Sequence, residues 1–278
     1  MILVTGATGT IGATVVQLLT GRGVPFRAMS RNPNGLPNPV RADFTDPTSL
    51  TAAVAGVDTV FLVTVPPTPS PAHDLVLLKA ASAAGVTKIV KLSAIGTGEQ
   101  FEGAVVGAAH LAAEQAIEES GLAWTILRPT SFSSNFLPFR ELINAGEPIP
   151  DMLGPTRQAV VDPRDVSAVA VEALLDSAHD GQRYDLTGPD LLTFADQATI
   201  LERVLNRPVK TVEVAARPHL EAAGMPTEAI ATVTTGVGWA RSGGAAYVSD
   251  QVSRILGRPA RTFEQWATDY KPAFTVMR

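Results

Sequence analysis

The hydrophobic pattern of the first twelve residues sets the frame for the rest. An apolar run, Ile2-Leu3-Val4, stops at three glycines spaced three apart, Gly6, Gly9 and Gly12. A short apolar run closed by glycine predicts a buried parallel strand feeding a tight turn, and the next apolar positions predict a helix over residues 13–20, opened by Thr8, Thr10 and Ile11. Further apolar runs at 25–29, 59–63, 88–92 and 123–127 read as strands, with a short one at 40–44. Between them lie helical stretches. One is capped by Asp46-Pro47 and stopped by Gly56, another runs from Ser70-Pro71 to residue 84 and stops at Gly85, and others cover 104–119 and 135–145.

Strands alternating with crossover helices predict an α/β fold built on a doubly wound parallel sheet. From residue 189 the rhythm loosens. Thr193-Phe-Ala-Asp196 reads as a capping box, with a helix to 205, a strand at 209–214 and short helices at 218–223, 226–235 and 250–256. The expected organisation is a Rossmann-type nucleotide domain of residues 1–130 plus 158–188, and a small mixed α/β C-terminal substrate lobe of 131–157 plus 189–278. Met225, Val233, Val237 and Trp239 predict an apolar pocket wall in that lobe, and the glycine-rich 236–244 predicts a mobile piece.

The glycine turn carries the first chemistry. Gly6 permits the turn, Gly9 lets the backbone approach a pyrophosphate, and Gly12 lets the helix pack on the sheet. The uncapped N–H groups and positive dipole end of that helix suit a diphosphate. A ligand-free strand-to-helix turn is the plain alternative. The second strand runs into Ser30-Arg31-Asn32-Pro33 with no acid at its end. An Asp or Glu there takes the ribose hydroxyls of NAD, whereas Arg31 can pair with a 2′-phosphate and stack on adenine, so NADP(H) is the expected cofactor, with NAD(H) as the second choice. The competing reading is a solvated arginine. Val63, Thr64, Val65 and Pro66, at the end of the strand over 59–63, are expected along the pyrophosphate and ribose because ligands sit at the carboxyl ends of parallel strands.

Composition narrows the classes. The 278 residues are 45% hydrophobic and 18% charged, with a net charge of −5, which suits a full core and argues against a nucleic-acid surface. There is no cysteine, and the four histidines, His73, His110, His179 and His219, show no ligand spacing, so no metal is expected. Met1 leads directly into the strand, and no run reaches the roughly 18 apolar residues of a membrane span. The expectations are cytoplasmic location, no membrane partner, a small-molecule apolar substrate, and a monomer or homodimer.

The N-terminal T-G-A-T-G-T-I-G (residues 5–12) resembles the extended and atypical short-chain dehydrogenases/reductases. His110-Leu-Ala-Ala-Glu114, Ser120-Gly-Leu-Ala-Trp-Thr-Ile-Leu-Arg-Pro129, Phe132 and Asn135 narrow the resemblance to the NmrA-like family, as do residues 161–166, 181–188 and 257–263. The family includes NAD(P)H:quinone oxidoreductases, a triphenylmethane dye reductase, reductases of imines or conjugated double bonds, and a regulator that binds dinucleotide without turnover. The resemblance implies that Asp43 and Phe44 contact adenine, although Asp43 also reads as a solvated loop carboxylate. It implies that Pro129, Thr130, Ser131 and Phe132 hold the nicotinamide; Phe132 and Phe136 also read as core.

The usual Tyr-x-x-x-Lys pair is missing. By helix spacing its positions fall on His110 and Glu114, four apart on one face, and Ser93 remains at the preceding strand end. Ser93 can bond a substrate oxygen or the nicotinamide. An unperturbed pKa near 6.5 makes His110 partly cationic at neutrality, a proton donor that Glu114 orients. The alternative is that His110 only packs and water supplies the proton. The functional expectation is an NADPH-dependent oxidoreductase delivering hydride directly to a quinone, enone, imine or dye. A redox sensor without turnover is the runner-up, and a nucleotide-sugar epimerase or dehydratase fits poorly without the Tyr/Lys pair.

Overall fold

The computed structural model describes residues 1–274. In chain order its elements are β1 (Ile2–Val4), α1 (Thr10–Gly21), β2 (Phe26–Ser30), β3 (Pro39–Arg41), α2 (Pro47–Val54), β4 (Thr59–Leu62), α3 (Ala72–Ala83), β5 (Lys88–Leu92), β6 (Gln100–Phe101), β7 (Ala104–Val105), α4 (Ala108–Glu119) and β8 (Ala123–Pro129). A 3-10 segment (Ser133–Phe139) leads to α5 (Arg140–Ala145), β9 (Ile149–Asp151), α6 (Pro163–Leu175), β10 (Gln182–Leu186), α7 (Phe194–Leu205), β11 (Thr211–Glu213), α8 (Ala216–Ala222), α9 (Thr227–Arg241), α10 (Gln251–Leu256) and α11 (Phe263–Asp269).

The chain divides into two compact units. Unit 1 holds Met1–Thr97, Gly107–Arg128 and Val166–Asp185; unit 2 holds Gly98–Val106, Pro129–Asp165 and Leu186–Arg278. Residues 98–106, 129–130, 158–165 and 186–188 thus group with unit 2 rather than with the nucleotide domain drawn from sequence.

Unit 1 is built on a seven-stranded sheet in the order β10-β8-β5-β4-β1-β2-β3, in which β3, β2, β1, β4, β5 and β8 pair in parallel. Leu3, Val4, Val60, Phe61, Leu62, Ile89, Val90, Ile126 and Leu127 are fully buried, as the unbroken apolar runs of a doubly covered parallel sheet require. One face is sealed by Leu50, Val54, Leu77, Ala81 and Ile117 from α2, α3 and α4. The strand order reverses between β1 and β4, which is where doubly wound sheets open a crevice at their carboxyl ends. Local signals hold as expected at α2. Asp46 accepts from Thr48 N and Ser49 N, Pro47 takes the first turn, and Gly56 follows at φ +69°.

Three expectations need correction. The helix expected from residue 104 begins at Ala108. Residues 100–105 form a hairpin whose turn puts Glu102 and Gly103 at φ +49° and +79°. The stretch 135–145 opens as 3-10 because Pro138 cannot donate to a continuous α-helix. Most of the glycine-rich piece is helical, since Gly236 and Gly238 lie in α9, which runs past the 235 expected for that helix; a Cβ on Gly238 would come within 2.3 Å of the Phe101 ring, so the glycine permits that contact.

Unit 2 has its own core, in which Phe136 stacks on Phe194 at 4.7 Å and meets Phe263 edge-on, beside fully buried Trp266. Phe136 is therefore core. Two of the motifs behind the resemblance also meet here: buried Asp165 accepts from Arg258 Nη2 at 2.6 Å, from Arg261 N at 2.7 Å and from the Arg261 guanidinium.

Candidate active site

The glycine turn forms a cradle at the N-terminus of α1. Gly6 sits at φ +59°, which a side chain disfavours, and its position faces Val63 at the end of β4. A Cβ on Gly12 would lie 2.2 Å from the Gly6 carbonyl oxygen, so Gly12 seats the helix on the turn itself rather than only on the sheet. Gly9 is the N-cap and provides no side-chain acceptor, leaving the first-turn N–H groups for a ligand. Thr8, Gly9 and Thr10 are exposed, whereas Ile11 is buried and anchors the helix. An open anion cradle that only glycine allows fits a dinucleotide pyrophosphate.

The flanks of the cradle are ordered by side chains. Thr5 Oγ1 accepts from Val63 N at 2.7 Å and has one proton to share between the Phe61 and Val63 carbonyls, each at 3.0 Å, fixing the end of β4 to β1. Ser30 ends β2 and bonds the Asn32 backbone, and Arg31 stands exposed beyond it with no acid at the strand end. Asp43 accepts from Thr45 N and Oγ1; these bonds, helped by the positive charge of Arg31, hold its carboxyl below the usual range. Phe44 stacks on His73 at 5.1 Å, a neighbour unseen in the sequence pattern. Val65 is 89% exposed on the same loop as Pro66, and Thr64 donates to Asp74 Oδ2 at 2.8 Å.

At the carboxyl end of β5, Ser93 is buried and donates to Glu114 Oε1. The same carboxylate takes Arg128 through Nε at 3.1 Å and Nη2 at 2.5 Å. Glu114 is therefore committed to Ser93 and Arg128 and does not orient His110, whose ring makes no hydrogen bond among the described residues. Burial first, and then the nearby Lys91 ammonium, push the His110 pKa down to about 4 against the opposing Asp74 and Glu114. The expected partial positive charge at neutrality does not hold, because the solvent value on which it rested does not apply to this ring.

The sequence pattern missed Lys91 and Asp74. Lys91 is wholly buried, yet donates from Nζ to the Leu92 carbonyl at 2.9 Å and pairs with Asp74 Oδ1 at 2.8 Å. The signal lay in the strand itself, a lysine inside the apolar run over 88–92.

Pro129 ends β8, and Thr130, Ser131 and Phe132 belong to unit 2. There Thr130 donates to the Ala159 carbonyl, Ser131 to Gln158 Oε1, and Phe132 bridges to Val161. Unit 2 also carries a cavity of about 400 Å³ lined by Met152, Val214, Ala215, Ala216 and Val237 and by the Glu213–Arg241 ion pair. Of the four residues expected to line a pocket, Val237 does. Among the described residues no His, Asp and Glu group forms a metal site, and no helix is long and apolar enough to cross a membrane.

Comparison with known proteins agrees with this geometry. A family model described as NAD(P)H-binding matches residues 6–177. The chain is 38% identical to a (4-alkanoyl-5-oxo-2,5-dihydrofuran-3-yl)methyl phosphate reductase of Streptomyces griseus subsp. griseus, covering 99% of each. It is 35% identical to an NAD(P)H azoreductase of Xenophilus azovorans, again covering 99% of each. The crystal structure of an NADPH-dependent quinone oxidoreductase of Escherichia coli complexed with NADPH superposes with a TM-score of 0.83 at 25% identity, covering 97% of this chain and 99% of that one. The chain belongs to the NAD(P)H-binding family and is an NAD(P)H-dependent oxidoreductase.

Proposed function

We propose that this chain uses NADPH to reduce a small, apolar, conjugated acceptor such as a quinone, enone, imine or dye. The observation that carries the cofactor choice is Arg31, exposed past the end of β2 where an acid would mark an NAD site. When bound, NADPH supplies the hydride. Thr8 to Ile11 and the loop Val63 to Pro66 hold the dinucleotide, with Arg31 on its 2′-phosphate and Asp43 and Phe44 at its adenine.

On this reading the protein contributes position more than acid catalysis. The Ser93 proton is committed to Glu114, so the hydroxyl offers lone pairs, and neutral His110 offers a ring N–H to an acceptor oxygen or nitrogen. A ring with a pKa of about 4 is seldom an imidazolium at neutrality, so the proton of the product comes from water. Proximity and orientation can supply roughly 7–11 kcal/mol of barrier lowering in favourable cases. Relatives named for an oxo-dihydrofuran phosphate and for azo reduction support a conjugated acceptor. Oxidation of NADPH by pure protein across a panel of such acceptors tests the reading.

A further inference from the structure

Taking an ammonium and a carboxylate out of water costs several kcal/mol per ion, and a well-packed apolar pair is often as stable or more so. The Lys91–Asp74 pair, with Lys91 wholly buried and Asp74 4% exposed, is therefore poorly explained by stability alone. Its surroundings point elsewhere. Asp74, on α3, receives Lys91 of β5 on one oxygen and Thr64 of the loop after β4 on the other, each at 2.8 Å. Val63, one residue before Thr64, is held from the other side by Thr5 of β1. Lys91 in turn caps the Leu92 carbonyl, and Ser93, next along, leads to Glu114 and Arg128. A run of buried polar contacts thus crosses the carboxyl ends of β1, β4, β5 and β8, beneath the loops that the proposed function assigns to the dinucleotide.

We propose that Lys91 and Asp74 are positioning residues for the dinucleotide: the buried pair, bound to Thr64 through the second Asp74 oxygen, tethers the loop that carries Thr64. The inference rests on the proposed function for the role of that loop.

Two measurements test this without any acceptor. NADPH affinity, read by fluorescence titration, should weaken about tenfold in Thr64→Val, which leaves an Asp74 oxygen unpaired, and return to within about twofold of the parent in Thr64→Ser. A Thr64→Val protein that binds like the parent, or a Thr64→Ser protein as weak as Thr64→Val, overturns the tether. NADPH affinity should weaken by a similar factor in Lys91→Met/Asp74→Leu, which removes the partner of Thr64 and strands no ion. A folded double variant that binds NADPH like the parent overturns the tether from the side of the pair. A failed acceptor panel with both results intact would count against the proposed substrate class and not against this pair.

Discussion

Ser93 donates its hydroxyl proton to Glu114, the carboxylate that Arg128 grips through two nitrogens. The site serine is thus supported by a buried ion pair from α4 and β8, and the two contacts differ in weight. Glu114→Gln leaves the Arg128 guanidinium partly buried without its counter-charge and should destabilise the protein by about 3 kcal/mol. Ser93→Ala removes only a donor and should cost about 1 kcal/mol. Urea unfolding of both variants checks the ratio; equal losses would show that Arg128 is not held by Glu114.

Cofactor choice should turn on Arg31. Arg31→Asp removes the phosphate partner and adds repulsion, so NADPH affinity should fall at least about tenfold more than NADH affinity. Fluorescence titration with each nucleotide measures the difference, and equal weakening would assign selection to another residue.

The sign of the His110 shift predicts acid sensitivity. The unfolded ring takes its proton near pH 6.5 and the folded ring at about 4, so between these values the unfolded state holds more protons. The stability that His110 contributes is therefore complete above about pH 6.5 and lost as the pH falls toward 4, by roughly 3 kcal/mol in all. His110→Gln removes this contribution, and thermal melts at pH 7 and pH 4.5 should show a smaller drop in Tm for the variant than for the parent. Parallel drops would mean that the ring titrates as if in solvent.

Gly12→Ala should damage both fold and binding. Its Cβ meets backbone atoms of Gly6 at 2.2 and 2.7 Å, which cannot step aside as a flexible side chain can, so the turn itself must move. We expect a loss of about 1–3 kcal/mol in unfolding free energy and at least a tenfold rise in the NADPH Kd, about 1.4 kcal/mol. Unchanged binding would show that the cradle tolerates a displaced α1.

The legible parts of this chain were those written in neighbouring residues. The glycine spacing at 6, 9 and 12, the Asp46-Pro47 cap and the Thr193–Asp196 capping box each work within one turn, and each is present. A second capping box, Thr262 with Gln265, was equally readable, yet α11 was missed because residues 257–263 were read only as a family motif. Other features depend on distant partners. β9 exists because β11 pairs with it across about 60 residues, and α9 carries a glycine at 238 because Phe101 from a far hairpin packs there. The burial of Lys91 is legible only once α3 brings Asp74 beside β5. The His110 pKa failed for the same reason: spacing gave the face of the helix, but neither its burial nor the ammonium beside it.

The most direct test of the account is a fluorescence titration of the pure protein with NADPH, followed by absorbance decay at saturating cofactor with quinones, enones, imines and cationic dyes. The account predicts tight, NADPH-preferring binding and turnover of at least one of these acceptors well above background. Tight binding with no oxidation of NADPH by any of them would contradict it.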